Sequence, residues 1–293
     1  MFERLISIAV IVIIGAFSRK WHKIDSSSLT KITLDIFMPP LIFISIIDAE
    51  IDSSLILHPA LSCSVVILGT LLFLKIISMA SNKDYMRYSM PIAFMNSGFL
   101  AFPVAESLGG IKWLGPAIIY DQMMNFIIFT IGISIVNKGV SFSKRIFLFL
   151  LNPVLLAILI AAIWKISGTG LPHSIRSIIT LPANACIPLA LFSVGAALAE
   201  LKSASFKKIY PAVIGRYLLG GSLAILYCFV TGIHGYVAEI IILSSTMPSA
   251  VLSFLLPARY GLEADYAAGV VLFSTIAYPL ILPAIIKIMY FFA

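Results

Sequence analysis

Residues 90–103 read Met90-Pro91-Ile92-Ala93-Phe94-Met95-Asn96-Ser97-Gly98-Phe99-Leu100-Ala101-Phe102-Pro103, and residues 244–257 read Ser244-Ser245-Thr246-Met247-Pro248-Ser249-Ala250-Val251-Leu252-Ser253-Phe254-Leu255-Leu256-Pro257. Each run is apolar enough to sit in lipid, yet each carries proline and small polar residues in its middle. Proline removes a backbone donor and frees a carbonyl one turn back. Gly98 lets the chain leave helical geometry at little cost. Freed N–H and C=O groups cannot face hydrocarbon, so they must line a cavity or meet another unwound stretch. Two interrupted apolar segments of this kind, in matching positions of a chain, are the sequence pointer to a transport site.

The rest of the chain supports a lipid environment. Of its 293 residues 60% are hydrophobic and 11% charged, and the mean hydropathy is +1.06. A soluble domain carries about 25% charge, so these few charges cannot cover a water-exposed surface. Ten segments of spanning length can be laid down, roughly 3–18, 29–47, 56–78, 87–108, 114–136, 147–166, 174–199, 207–231, 236–258 and 266–292. Short connections join them. The expected fold is therefore an all-α membrane protein with ten transmembrane helices. No segment alternates as a barrel strand would. Leu5–Phe17 is followed, not preceded, by Arg19, Lys20 and Lys23, so it reads as a retained first helix and not as a signal peptide.

The net charge of +7 is spread over short segments between apolar runs, which excludes a nucleic-acid-binding stripe. Fifteen Lys and Arg residues fall on one side of the spans and five on the other. The rich side is cytoplasmic by the positive-inside rule. Both termini and the acidic loop Asp48-Ala49-Glu50-Ile51-Asp52 are then outside. This describes a multi-pass protein of the cytoplasmic membrane, with the lipid bilayer as its main partner.

Breaks recur along the chain. Gly109 follows Asn96 by 13 residues, and Gly261 follows Pro248 by 13. Pro40-Leu41 is followed by Ser45, and Pro188-Leu189 by Ser193. Segments two and four thus match seven and nine. An offset of five helices makes the second copy enter from the opposite side, as in an inverted repeat. The halves are 1–140 and 141–293. Pro40, Pro91, Pro103, Pro188 and Pro257 are the expected helix breaks.

Half-helix N-termini carry about half a positive charge and suit an anion. Asn96, Ser97 and Gly98, with Pro248, Ser249, Ala250 and Ser253, are the candidate substrate-binding residues. Asp121 and Asn125 share a helix face, and an intramembrane carboxylate is functional by default. With Ser245 and Thr246 they are the candidate coupling or supporting groups, and proton and sodium coupling both stay open. Arg216 lies a turn or two inside span eight, where snorkelling to the interface explains it. No Lys or Arg falls near the midplane, which favours a substrate of low charge such as a monocarboxylate, with a dianion that engages Arg216 as the alternative. Cys63, Cys186 and Cys228 read as small buried hydrophobes. No metal-ligand spacing, P-loop, H-E-x-x-H or G-x-S-x-G occurs, so no cofactor, metal or enzymatic activity is expected.

Met38-Pro39-Pro40-Leu41-Ile42-Phe43, Asn96 to Pro103, Ile119-Tyr120-Asp121-Gln122, Asn152-Pro153, Pro188 to Gly195 and Met247-Pro248-Ser249-Ala250 resemble the auxin efflux carrier family of membrane transporters. The resemblance covers essentially the whole chain. It implies a fold similar to bile-acid/sodium symporters, in which spans four and nine cross at their breaks beside the substrate. It also implies an elevator-type transport domain of spans three to five and eight to ten. The scaffold is then spans one, two, six and seven, often dimeric. The resemblance implies organic-anion substrates, auxin in plants and dicarboxylates such as malate or malonate in bacteria among them. Span three, Ile56 to Ser78, lacks the acidic residue that some members use there. The competing readings are a sodium-coupled symporter of the bile-acid type and a transporter-like sensor without flux.

Overall fold

The computed structural model describes residues 2–48, 53–82, 85–136, 141, 143, 147, 150–151, 153–200, 206–259 and 265–293. The predicted residues Glu50, Asp52, Asn152 and Gly261 lie outside these. The described chain is helical, with no strand among the described residues beyond one isolated bridge.

The helices, in order, are α1 (Phe2–His22), α2 (Ser26–Ile32), α3 (Met38–Asp48), α4 (Ser53–Ser81), α5 (Met90–Ala93), α6 (Ala101–Gly109), α7 (Leu114–Ile127), α8 (Ile133–Val136), α9 (Pro153–Ile166), α10 (His173–Glu200), α11 (Phe206–Thr231), α12 (Gly235–Ser245), α13 (Leu252–Arg259) and α14 (Asp265–Met289). Among the described residues five stretches are long and apolar enough to cross a membrane: Ile56–Ser81, Ile111–Val136, His173–Ala196, Ile209–Thr231 and Asp265–Met289. Large apolar side chains such as Ile163, Leu181, Phe229 and Leu280 point outward, as a lipid solvent permits.

The helices pack in two groups. In the first, α1 and α3 lie on α10, and α9 lies on α3. Glycine permits the tightest approach: a Cβ on Gly15 would sit 2.2 Å from the Phe192 carbonyl oxygen, and one on Gly195 1.9 Å from that of Val12. Small residues serve this purpose where no hydrophobic effect drives helices together. At one end of this group Lys165 Nζ donates to the Ile46 and Ile47 carbonyls at 2.9 and 3.0 Å, and Arg176 pairs with Asp48 at 2.8 Å. In the second group α4 lies on α7, α11 on α4 and α14, and α12 on α4.

The irregular backbone does not fall at most of the expected prolines. α10 runs unbroken through Pro188, and α13 through Pro257. Pro40 lies in the first turn of α3, directly after a π-helical turn, Thr33–Phe37, and the helix continues beyond it. Pro103 is the third residue of α6 and Pro91 the second of α5, positions whose N–H would be orphaned in any case. A proline inside a packed membrane helix loses one hydrogen bond but need not end it. The true interruptions are 94–100, between α5 and α6, and 246–251, between α12 and α13.

Candidate functional site

These two interruptions meet. Met95 and Ser249 form an antiparallel bridge. The Asn96 N–H donates to the Pro248 carbonyl at 2.8 Å, and the Ala250 N–H to the Phe94 carbonyl at 3.0 Å. Ser249 adds a third tie, its hydroxyl donating to the Pro91 carbonyl, while its N–H donates to Ser274 Oγ at 3.1 Å. Backbone groups freed by each break are thus largely satisfied by the other, which is the condition for non-helical chain at membrane depth.

Asp121 sits directly behind the first break. Its Oδ1 accepts from Ser97 Oγ at 2.8 Å, and its Oδ2 accepts from Asn125 Nδ2 at 2.9 Å and Gln122 Nε2 at 3.2 Å. Three donors thus converge on one buried carboxyl group. Gly98 makes the approach feasible, because a Cβ there would sit 3.0 Å from Asp121 Oδ1.

Behind the crossing lies a group whose sequence reading is overturned. Arg216 does not snorkel: it is fully buried. Its Nη1 donates to the carbonyls of Ile92 and Ala93 at 2.7 and 3.1 Å, and its Nη2 to that of Ser245. Ile92 and Ala93 end α5, and Ser245 ends α12. Snorkelling is the cheap choice for an arginine with no internal partner. Here two helices end facing it, and their last carbonyls need donors. Gly220 admits the arrangement, since a Cβ there would come 2.3 Å from the Ser245 oxygen.

In front of the crossing is a cavity of about 210 Å³. Asn96, Gly98, Phe99, Ala250, Val251 and Leu252 contribute from the breaks, Asp121 and Asn125 from α7, and Asp35, Met38, Ser193 and Val194 from the other helix group. The turn that leads into α6 and the first residue of α13 border this side. No partner for the N–H groups of Gly98 and Phe99, in the turn before α6, or of Val251 and Leu252, at the start of α13, occurs among the described residues. The Asn96 side chain is 5% exposed, and its amide has no partner among the described residues. The amide therefore borders the cavity with its hydrogen-bonding groups open.

The predicted residues therefore divide. Asn96, Gly98, Ala250, Asp121 and Asn125 line the cavity. Ser97 supports Asp121, and Pro248 and Ser249 hold the crossing. Ser253 Oγ donates to the Ala250 carbonyl at 2.6 Å, Thr246 Oγ1 to that of Ile242 at 2.7 Å, and Ser245 Oγ pairs with the Tyr120 hydroxyl at 2.7 Å. These hydroxyls serve helix ends and packing, a common fate of small polar residues near a helix terminus. Two contributors escaped the sequence reading, Arg216 and Asp35. Asp35 carried a usable signal: it is a carboxylate inside the second apolar segment.

Crossed, interrupted apolar helices around a cavity of mixed polarity define a multi-pass membrane protein of the transporter class. The profile of the membrane transport protein family matches residues 1–286, so the chain belongs to that family, the auxin efflux carriers. An uncharacterized transporter of Methanothermobacter thermautotrophicus is 26% identical over 295 residues, covering 94% of this chain and 93% of that one. An uncharacterized transporter of Methanocaldococcus jannaschii is 25% identical, covering 92% of each chain. Family and relatives alike point to a transporter rather than an enzyme.

Proposed function

We propose that this chain is a secondary carrier or facilitator of small organic anions, carboxylates in particular, that works by alternating access in the cytoplasmic membrane. The observation that carries the reading is the unpartnered Asn96 amide in the cavity, beside the starts of α6 and α13. Two half-helix N-termini and two amides, Asn96 and Asn125, supply positive potential and donors for one carboxylate. No Lys, Arg or His is among the described residues lining the cavity. Asp35 and Asp121 would repel a second carboxylate, which favours monocarboxylates over dicarboxylates.

In this reading the chain crosses ten times, as inverted halves 1–140 and 141–293, with both termini outside. Helices α4–α8 and α11–α14 form the moving transport domain. Helices α1–α3, α9 and α10 form the scaffold and the homodimer contact. The cavity takes residues from both packing groups, as a site that opens to alternate sides requires. Asp35 faces the cavity from the scaffold and Asp121 faces it from the transport domain.

The test is uptake in proteoliposomes with a panel of labelled mono- and dicarboxylates, for wild type and Asn96→Ala. We expect monocarboxylate flux that Asn96→Ala abolishes while leaving the unfolding temperature near that of wild type. Binding without flux would favour the sensor reading. Full flux in Asn96→Ala would refute the site.

A further inference from the structure

We infer that the Arg216 guanidinium is a resident cation that takes the place of a coupling metal ion at the helix crossing, so the crossing is built to work without sodium. The step from site to coupling rests on the carrier reading given above. The inference itself rests on how three carbonyls are arranged.

Where two membrane helices are interrupted and cross, their N-terminal halves end in carbonyls with no helical partner. Such carbonyls, together with the negative ends of the helix dipoles, form a site for a monovalent cation. In this chain the carbonyls of Ile92 and Ala93 end one half-helix and that of Ser245 ends the other. All three receive hydrogen bonds from one guanidinium. That group is fully buried, and among the described residues no carboxylate pairs with it. Its Nε finds no partner either. A buried arginine held by carboxylates would be half of an ion pair, neutral as a unit. Arg216 is held by carbonyl oxygens alone, as an alkali cation would be, and an arginine does not release its proton under ordinary conditions. Its charge is therefore permanent and cannot leave with the substrate.

The backbone is shaped around this group. A Cβ on Gly220 would meet Arg216 Nη2 at 2.1 Å and the Ser245 oxygen at 2.3 Å. The glycine lets the end of α12 come down onto α11 where the guanidinium lies. The Tyr120 hydroxyl, bonded to Ser245 Oγ at 2.7 Å, fixes the same residue from the side of α7. A fixed charge differs from a bound ion in one operational respect. It stabilises the crossing at all times, so no ion gradient is drawn on through this position.

The experiment needs no knowledge of the substrate. Thermal unfolding of the purified full chain in detergent is followed by tryptophan fluorescence in sodium, potassium or choline chloride at equal ionic strength, with and without millimolar guanidinium. Wild type is expected to unfold at the same temperature in all three salts. Arg216→Ala is expected to unfold about 10 °C lower, since three buried carbonyls lose their donors. It should recover part of that loss with guanidinium, and more with sodium than with choline. Arg216→Lys keeps a point charge without the fork, and it should stay within a few degrees of wild type.

A sodium-specific stabilisation of wild type would overturn the inference, because it would reveal a second cation at the crossing. So would an Arg216→Ala protein that ignores every cation. If Arg216→Ala does not fold, Arg216→Lys decides: a variant that also fails assigns Arg216 to packing and not to charge. Loss of flux in the uptake assay with these cation responses intact would sink the carrier reading and leave this one standing.

Discussion

Replacing Gly195 by alanine puts the packing of α1 against α10 to a quantitative test. The added Cβ would sit 1.9 Å from the Val12 carbonyl oxygen, 2.8 Å from its carbon and 2.9 Å from the Ala16 nitrogen. All three are backbone atoms, so no rotamer change relieves the contact. A carbon and a carbonyl oxygen rest at about 3.3 Å or more, so the helices must part by roughly 1.4 Å at this level. Gly15, whose own Cβ would meet the Phe192 oxygen at 2.2 Å, lies on the same seam and would lose its contact too. Overpacking of rigid cores costs about 1–3 kcal/mol and more where nothing can yield, and we place Gly195→Ala at the upper end, about 3 kcal/mol. With roughly 2–4 °C per kcal/mol for a chain of this size, the unfolding temperature in detergent should fall by about 6–12 °C. Gly170→Ala is the control: nothing lies within 4 Å of its added Cβ, and the change should stay within about 0.5 kcal/mol. Equal unfolding temperatures for Gly195→Ala and Gly170→Ala would refute the close approach of α1 and α10.

Three further outcomes follow from the same geometry. Ser249→Ala removes the hydroxyl tie to the Pro91 carbonyl and should cost about 1–2 kcal/mol of stability, whereas Asn96→Ala should cost binding at nearly constant stability; the pair is read by thermal unfolding beside uptake, and the reverse pattern would exchange their roles. Asp35→Asn should raise the share of dicarboxylate in uptake with little effect on unfolding, and an unchanged ratio of mono- to dicarboxylate flux would remove Asp35 as a selectivity group. Arg176→Gln breaks an ion pair whose side chains are 38% and 30% exposed; such a pair contributes under about 1 kcal/mol, so a large fall in unfolding temperature would mean that it does more than join α10 to the end of α3.

Much of this was legible in the sequence, and the reasons differ by residue. The breaks at Asn96-Ser97-Gly98 and Pro248-Ser249-Ala250 announced themselves because glycine and proline act on their own backbone, a local effect. The link between Asp121 and Asn125 was readable for the same reason, as a four-residue step on one helix. The continuity of α10 through Pro188 and of α13 through Pro257, where breaks were expected, was not readable, since whether a proline ends a membrane helix depends on what packs around it. The division of the serines was hidden too: Ser97 and Ser253 look alike in a string, yet one bonds to a carboxylate and the other to its own turn. Arg216 was the hardest, because its role depends on two helix ends that come to it from distant parts of the chain.

The tie between Ser249 and Pro91 joins residues 158 positions apart. During synthesis the first break therefore enters the membrane long before the stretch that satisfies it exists. Until the C-terminal third is inserted, the carbonyls at Pro91, Ile92 and Ala93 and the N–H of Asn96 stand without their native partners. A nascent chain arrested there would hold unpaired backbone groups at membrane depth, a costly state. The first break is thus completed by residues that are made in the second half of the chain.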